Sequence, residues 1–265
     1  MDLGLRDRVC IVTGASSGIG RATAVMLARE GAATLLVGRR LEALEAVVAE
    51  CSAAGGRAES LALDITALDA GERLLQPCRE RFGRVDALVN NAGTSAVRSL
   101  AELTEEDWQG QWELNVLGPM RLMRAIAPFM AERGFGRIVN VSSSSGKRPS
   151  GTNMAYSVTK AAQLSLSRAF ADLYVGRGVL VNAVAPGPVG DNLWLGPGGL
   201  ADQQARASGA SREQVLSEAA GRVPLGRFGS AEEIASVIVF LCSELASNIA
   251  GAAWSVDGGT VAVII

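Results

Sequence analysis

The sequence predicts an α/β protein built on one doubly wound parallel sheet of about seven strands, with helices on both faces. Three observations carry that prediction. Short, β-branched, almost continuously apolar runs alternate with longer segments of helical period. The runs end in Gly, Asn, Ser or Pro, as strands buried on both faces do on reaching a sheet edge. No linker, repeat or low-complexity segment breaks the alternation, so residues 1–265 read as a single domain.

The first strand is RVCIVT (8–13), followed by a helix over 18–30. TLLVG (34–38) and ESLAL (59–63) follow, with helices over 41–54 and 68–82. DALVN (86–90) precedes a long helix over 105–133, and RIVNVS (137–142) precedes one over 153–175. VLVNAVA (179–185) and AAWSV (252–256) are the last two strands, with a helix over 231–246 between them. The rhythm breaks once, at about 190–225, which is Gly-rich at its start and holds one or two weak helices. A long insertion after a strand is either a variable surface loop or a lid. Here it is taken as a substrate lid, and its Leu193, Trp194, Leu195 and Leu200 suggest either a bulky or apolar substrate or packing against the body of the lid.

Composition excludes several classes. Hydrophobic residues make up 48% of the chain, enough for a sizeable core. A formal charge of -2 gives no footprint for nucleic acid or an anionic membrane. Cys10, Cys51, Cys78 and Cys242 form no CxxC pair, which argues against zinc and against a disulfide framework. Cys10 and Cys242 lie in apolar runs and read as buried thiols. The first residues lack the apolar core of a signal peptide, and no apolar run is long enough to cross a bilayer. A cytoplasmic protein is the expectation.

The turn after the first strand is TGASSGIG, with Gly14, Gly18 and Gly20 spaced among Ser16, Ser17 and Ile19. Glycines let a backbone approach a diphosphate closely, and the helix that follows offers free N–H groups. A glycine-rich turn alone is a weak signal. Placed between a strand and a helix in an α/β chain, it predicts a Rossmann-type dinucleotide site. An acid at the end of the second strand would accept a hydrogen bond from a ribose 2′-OH. This chain has Gly38 there, followed by Arg39 and Arg40. A guanidinium can pair with a 2′-phosphate, so NADP(H) is favoured over NAD(H).

The fifth strand ends in four serines, and NMAYSVTK then opens a helix with Asn153 or Thr152 as its N-cap. Tyr156 and Lys160, at i and i+4, share a face. A nearby ammonium lowers a tyrosine's pKa and equips it for proton transfer. A serine hydroxyl can hold the oxygen that receives the proton. The chain has no histidine to do that work. Taken alone, the pair reads more readily as an exposed polar face.

Taken together, these motifs resemble the short-chain dehydrogenase/reductase family, in particular its 3-oxoacyl-carrier-protein reductase-like members. TGASSGIG, the NNAG of 90–93, YSVTK, the APGPV of 185–189 and the VDGG of 256–259 occur in the family's order across nearly the whole chain. Ser143 lies thirteen residues before Tyr156, the family's interval. The resemblance implies that Tyr156 is the general acid or base. Lys160 would bind the nicotinamide ribose and lower the tyrosine's pKa. Ser143 would orient the substrate oxygen, and Asn115 would support a water relay to Lys160. Asp64 and Ile65 would lie beside adenine, and Asn91, Ala92 and Gly93 beside the adenosine ribose. Pro186, Gly187 and Val189 would hold the nicotinamide end. One departure stands out. Asp191 occupies the place of the family's usual Thr, and a carboxylate near a diphosphate is unfavourable unless it turns away or is paired.

The expected activity is NADP(H)-dependent hydride transfer to or from a carbonyl or secondary alcohol. The alternatives are an NAD-dependent dehydrogenase of a sugar or steroid alcohol and a catalytically silent cofactor-binding protein. The resemblance implies a homotetramer, and the apolar VAVII of 261–265 reads as a subunit contact, with a C-terminus folded back on its own subunit as the alternative.

Overall fold

A computed structural model describes residues 2–262. Seven strands form one sheet in the order β3-β2-β1-β4-β5-β6-β7. They are β1 (Val9–Thr13), β2 (Ala33–Gly38), β3 (Arg57–Ala62), β4 (Ala87–Asn90), β5 (Gly136–Val141), β6 (Val179–Pro186) and β7 (Ala253–Val256). Every pairing is parallel. Parallel neighbours need long crossovers, and helices supply them. These are α1 (Gly18–Arg29), α2 (Leu41–Ala53), α3 (Ala70–Pro77), α4 (Glu105–Trp112), α5 (Gly118–Ala131), α6 (Met154–Tyr174) and α10 (Ala231–Cys242). Between β6 and α10 lie α7 (Asn192–Leu195), α8 (Leu200–Ser208) and α9 (Arg212–Gly221).

The strand pleat distributes side chains to two cores. Cys10 and Val12 of β1 pack with Leu27 of α1, Leu44 of α2 and Ile238 of α10. Ile11, between them, joins Leu74 of α3 and Ile126 of α5 on the other face. Both faces are covered over the inner strands, which is why those are written as nearly continuous apolar runs, while the edge strands β3 and β7 are only partly buried. The strand order reverses between β1 and β4, and a ligand crevice opens at the carboxyl ends there. Thr13, Gly38, Asn90 and Val141 end their strands around it.

The predicted strands agree with the observed ones to within two residues at each end. Two predicted helices are divided. The segment expected as one helix over 68–82 becomes α3 and a π turn, Cys78–Phe82. Pro77 has no N–H for the carbonyl four residues earlier, and the backbone widens after it. The segment expected over 105–133 divides into α4, a π turn Glu113–Leu117, and α5. Pro119 likewise has no N–H to offer the carbonyl of Asn115. The 190–225 region holds three helices rather than one or two. The third is set by a capping box, Ser211 with Gln214, that is legible in the sequence. The last helix stops at Cys242, and a 3-10 turn, Glu244–Ala246, follows.

All four cysteines are free and buried. Among the described residues, no helix is long and apolar enough to cross a membrane. Of the expected C-terminal contact, Val261 is buried, while 263–265 lie outside the described residues.

Candidate active site

The glycine turn is stapled to the end of β4. Thr13 Oγ1 accepts the N–H groups of Asn91 at 3.0 Å and Ala92 at 3.1 Å. Asn91 Nδ2 donates to the Thr13 carbonyl at 2.9 Å. The closeness fixes two glycines. Gly14 has φ +65, and a Cβ there would lie 2.8 Å from the Ala92 Cα. A Cβ on Gly20 would lie 2.4 Å from the Gly14 carbonyl oxygen. Ser17 stands at the N-cap of α1, but its side chain makes no cap bond. The first amides of α1 therefore keep their hydrogen-bonding capacity, which suits an anion.

Two connected clefts share this turn. One, of about 450 Å³, is lined by Ser16, Gly38, Arg39, Arg40, Asp64 and Ile65. Asp64 accepts the N–H of Thr66 at 2.9 Å and its hydroxyl at 2.8 Å. Those bonds, with Arg39 nearby, hold its carboxyl below the usual range. The other, of about 240 Å³, runs from Gly18 and Ile19 past Ser143, Tyr156 and Lys160 to Pro186, Gly187, Val189 and Asp191. A cavity of about 570 Å³ lies at the amino ends of β1 and β4, among residues such as Arg8, Arg84 and Glu244. Arg8 pairs there with Asp86 and Glu244, and Arg84 with Asp86, at the sheet edge opposite the glycine turn.

In the second cleft Ser143 is extended at the end of β5, and its Oγ accepts the Ser145 N–H at 3.1 Å. Tyr156 and Lys160 rise from the first turns of α6. Lys160 Nζ donates to the Val141 carbonyl at 2.8 Å and to Gln163 Oε1 at 3.1 Å, and it stands 5.5 Å from the centre of the Tyr156 ring. Burial brings Lys160 down to about 7. Tyr156 is only partly covered, yet desolvation of its hydroxyl pushes it up to about 12. Ser143 opposes that rise and Asp191 adds to it. The lowered tyrosine pKa expected from the Tyr-Lys spacing is not present in this arrangement. The Lys160 amine is directed at two carbonyl oxygens, and desolvation by burial sets the direction of the Tyr156 shift.

These groups line one cleft at the carboxyl ends of a doubly wound sheet, beside a glycine cradle. Residues 8–194 match the family model described as short chain dehydrogenase. The chain belongs to the short-chain dehydrogenase family. It is 35% identical to the 3-oxoacyl-[acyl-carrier-protein] reductase FabG of Thermotoga maritima, over 97% of this chain and 99% of that protein. It is 34% identical to the sorbitol dehydrogenase of Cereibacter sphaeroides, over 96% of this chain and 98% of that one. The L-sorbose reductase of Gluconobacter frateurii, solved with NADPH and L-sorbose, matches with a TM-score of 0.93 at 34% identity over 100% of both chains.

Four further positions of this short-chain dehydrogenase bear on the sequence expectations. Asn115 is fully buried on the π turn. Its Nδ2 donates to Gln111 at 2.7 Å and Thr159 at 3.1 Å, while Oδ1 has no partner. Gly93 keeps the space in front of it open. A Cβ there would lie 3.3 Å from Asn115 Oδ1 and 3.5 Å from Lys160 Nζ. Asn153 is the residue at the N-cap of α6, but its side chain makes no cap bond. It accepts the Ser157 hydroxyl at 3.0 Å and reaches Ser95 at 3.5 Å instead. Asp191, expected to turn away or find a cation, does neither. Its Oδ1 accepts the Leu193 N–H at 3.0 Å, and Oδ2 faces Gly18.

Sequence reading missed Gln163. It lies at i+3 from Lys160 on the buried face of α6, and the only signal was a polar residue at a core position. As one of two acceptors on the Lys160 ammonium, it favours the charged form. Gln163→Leu should lower the pH at which Lys160 loses its proton by about one unit. Gln163→Glu should raise it. The NMR shift of the amine nitrogen reads both, and an unchanged midpoint in the leucine variant would contradict this role.

Proposed function

We propose that this chain is an NADP(H)-dependent oxidoreductase interconverting a carbonyl and a secondary alcohol, with Tyr156 as general acid and base. One observation carries the reading: the glycine cradle and the Ser143–Tyr156–Lys160 group open onto the same cleft. When bound, the cofactor supplies or accepts hydride at the nicotinamide ring. The protein's own part is binding and proton transfer. Ser16 to Gly20 and Asn91 to Gly93 hold the adenosine and diphosphate, with Asp64 and Ile65 beside the adenine. Pro186, Gly187 and Val189 hold the nicotinamide end.

In the reducing direction Ser143 holds the substrate oxygen and the Tyr156 hydroxyl gives it a proton. A tyrosine kept neutral by desolvation is the form that direction requires. Lys160 stabilises the phenolate that remains. The partnerless Asn115 Oδ1 supports a water relay toward Lys160.

Arg39 and Arg40 line the adenosine end, where β2 ends on Gly38 and not on a carboxylate, and this supports a 2′-phosphate. Replacing both by alanine should raise KM for NADPH roughly tenfold or more, and leave KM for NADH little changed. A substrate panel run in parallel with both cofactors checks this, and strong preference of the unaltered enzyme for NADH would overturn it.

We read residues 1–265 as one domain, and the segment at about 190–225 as its substrate lid. Gln203 of α8 accepts the Val97 N–H at 2.8 Å and fastens the segment across the cleft. Leu193, Trp194 and Leu200 line the cleft from this side, while Leu195 is exposed. Trp194 is held edge-on against Phe228 at 5.1 Å. Opposite them stand Thr94, Ser95, Ser145 and Asn153. A substrate with one apolar and one hydroxyl-bearing side suits these walls better than a wholly apolar one. We also read a cytoplasmic homotetramer. Exposed Val158 and Leu173 on α6 support a subunit contact, and mass in solution tests it.

A further inference from the structure

Asp191 stands where a diphosphate would meet the glycine turn. Its Oδ2 lies 2.6 Å from the point that a Cβ on Gly18 would occupy. Gly18 is the first residue of α1, next to the uncapped amides. Oδ1 is held by the Leu193 N–H at 3.0 Å, so the carboxylate is built into the start of α7 and is not a freely swinging side chain. It opens the lid segment, and the catalytic group lines the same cleft.

The surrounding charges do not neutralise it. From α6, Tyr156 and Lys160 share the cleft, but the Lys160 amine is directed at Val141 and Gln163. On α1, Arg21 pairs with Glu50. In the lid, Arg212 pairs with Asp202. Beside Gly187, Asp257 accepts the N–H groups of Gly259 and Val261. Among the described residues, Asp191 thus has backbone partners and no cation. Desolvation holds its carboxyl above the usual range, against the pull of those backbone bonds.

We propose that Asp191 takes up a proton from solvent as the dinucleotide binds, so that cofactor affinity falls as pH rises. The inference rests on the reading that this cleft seats a dinucleotide. A diphosphate on the α1 amides brings further negative charge against the carboxylate, and the neutral acid removes that repulsion. The neutral acid can also donate a hydrogen bond to a phosphate oxygen. The sign follows from linkage. The complex binds more protons than the separate partners, so binding weakens by up to about tenfold per pH unit once Asp191 is ionised.

The test is NADPH titration from about pH 5.5 to about pH 8.5, with proton uptake measured calorimetrically in buffers of different ionisation heat. Asp191→Asn and Asp191→Ser both keep an acceptor for the Leu193 N–H, so the start of α7 stays capped. The unaltered protein should take up a proton that neither variant takes up. At the alkaline end both variants should bind NADPH at least about tenfold more tightly than it does. Lys160 and the cofactor's own 2′-phosphate titrate in all three proteins and cancel in the difference. Equal proton uptake and equal pH slopes in all three would overturn the proposal and leave the dinucleotide reading intact. Failure of all three to bind either NADPH or NADH would overturn both.

Discussion

Tyr156→Phe should lower turnover by roughly 10²–10⁴-fold while NADPH affinity changes by no more than about threefold. The change removes one hydroxyl and keeps the ring. The 5.5 Å approach of Lys160 to that ring survives, and so does the packing of the first turn of α6. What is lost is the proton donor. With its pKa pushed up to about 12, the phenol stays protonated through neutral pH, so reduction should keep its acid well into the alkaline range. Oxidation needs the phenolate and should gain with rising pH. Loss of cofactor binding in step with activity would contradict this division of roles.

Lys160→Met should abolish most turnover and at the same time change how stability depends on pH. The lysine is 3% exposed and satisfied by two neutral acceptors, with no carboxylate beside it. Its folded pKa of about 7 lies below the roughly 10.4 of an unfolded lysine. Between those values the unfolded chain binds the extra proton, so the unaltered protein gains stability as pH rises through that window. The cost of burying the charge is present in full below about pH 7 and vanishes above the unfolded pKa. Methionine carries no such term. Relative to the unaltered protein, the variant should therefore lose ~2–4 kcal/mol of stability between about pH 6 and about pH 10. Urea unfolding at both ends of the range reads this directly. Parallel pH dependences would contradict a lowered pKa for Lys160 in the folded protein.

Much of this was legible in the chain. Strands covered on both faces are apolar at most positions, so the inner five wrote themselves as runs, and the half-exposed edge strands β3 and β7 followed from the alternation. Gly14 and Gly20 stand where backbone approaches backbone, and only glycine fits. Ser143, Tyr156 and Lys160 meet because a strand end and the next helix start share one edge of the sheet. The illegible parts depend on geometry that spacing does not encode. The π turn that carries Asn115 follows from a missing N–H at Pro119, which in a sequence looks like an ordinary helix proline. The direction of the Tyr156 pKa depends on desolvation against charge, and only the folded cleft fixes that balance. Gln163 acts on Lys160 because the two sit one turn apart on the buried face of α6. Asp191 could be flagged as a departure. That it faces Gly18 depends on how the segment after β6 returns to α1.

The most direct measurement offers NADPH carrying deuterium at the transferable position to the purified protein, with ketones spanning β-ketoacyl thioesters, ketoses and cyclic diketones. The account predicts NADPH oxidation with at least one of them and deuterium on the carbinol carbon of the alcohol formed, both lost in Tyr156→Phe. Tight NADPH binding with no oxidation and no deuterium transfer across the whole panel would contradict it, and would point to a protein that senses the cofactor without using it.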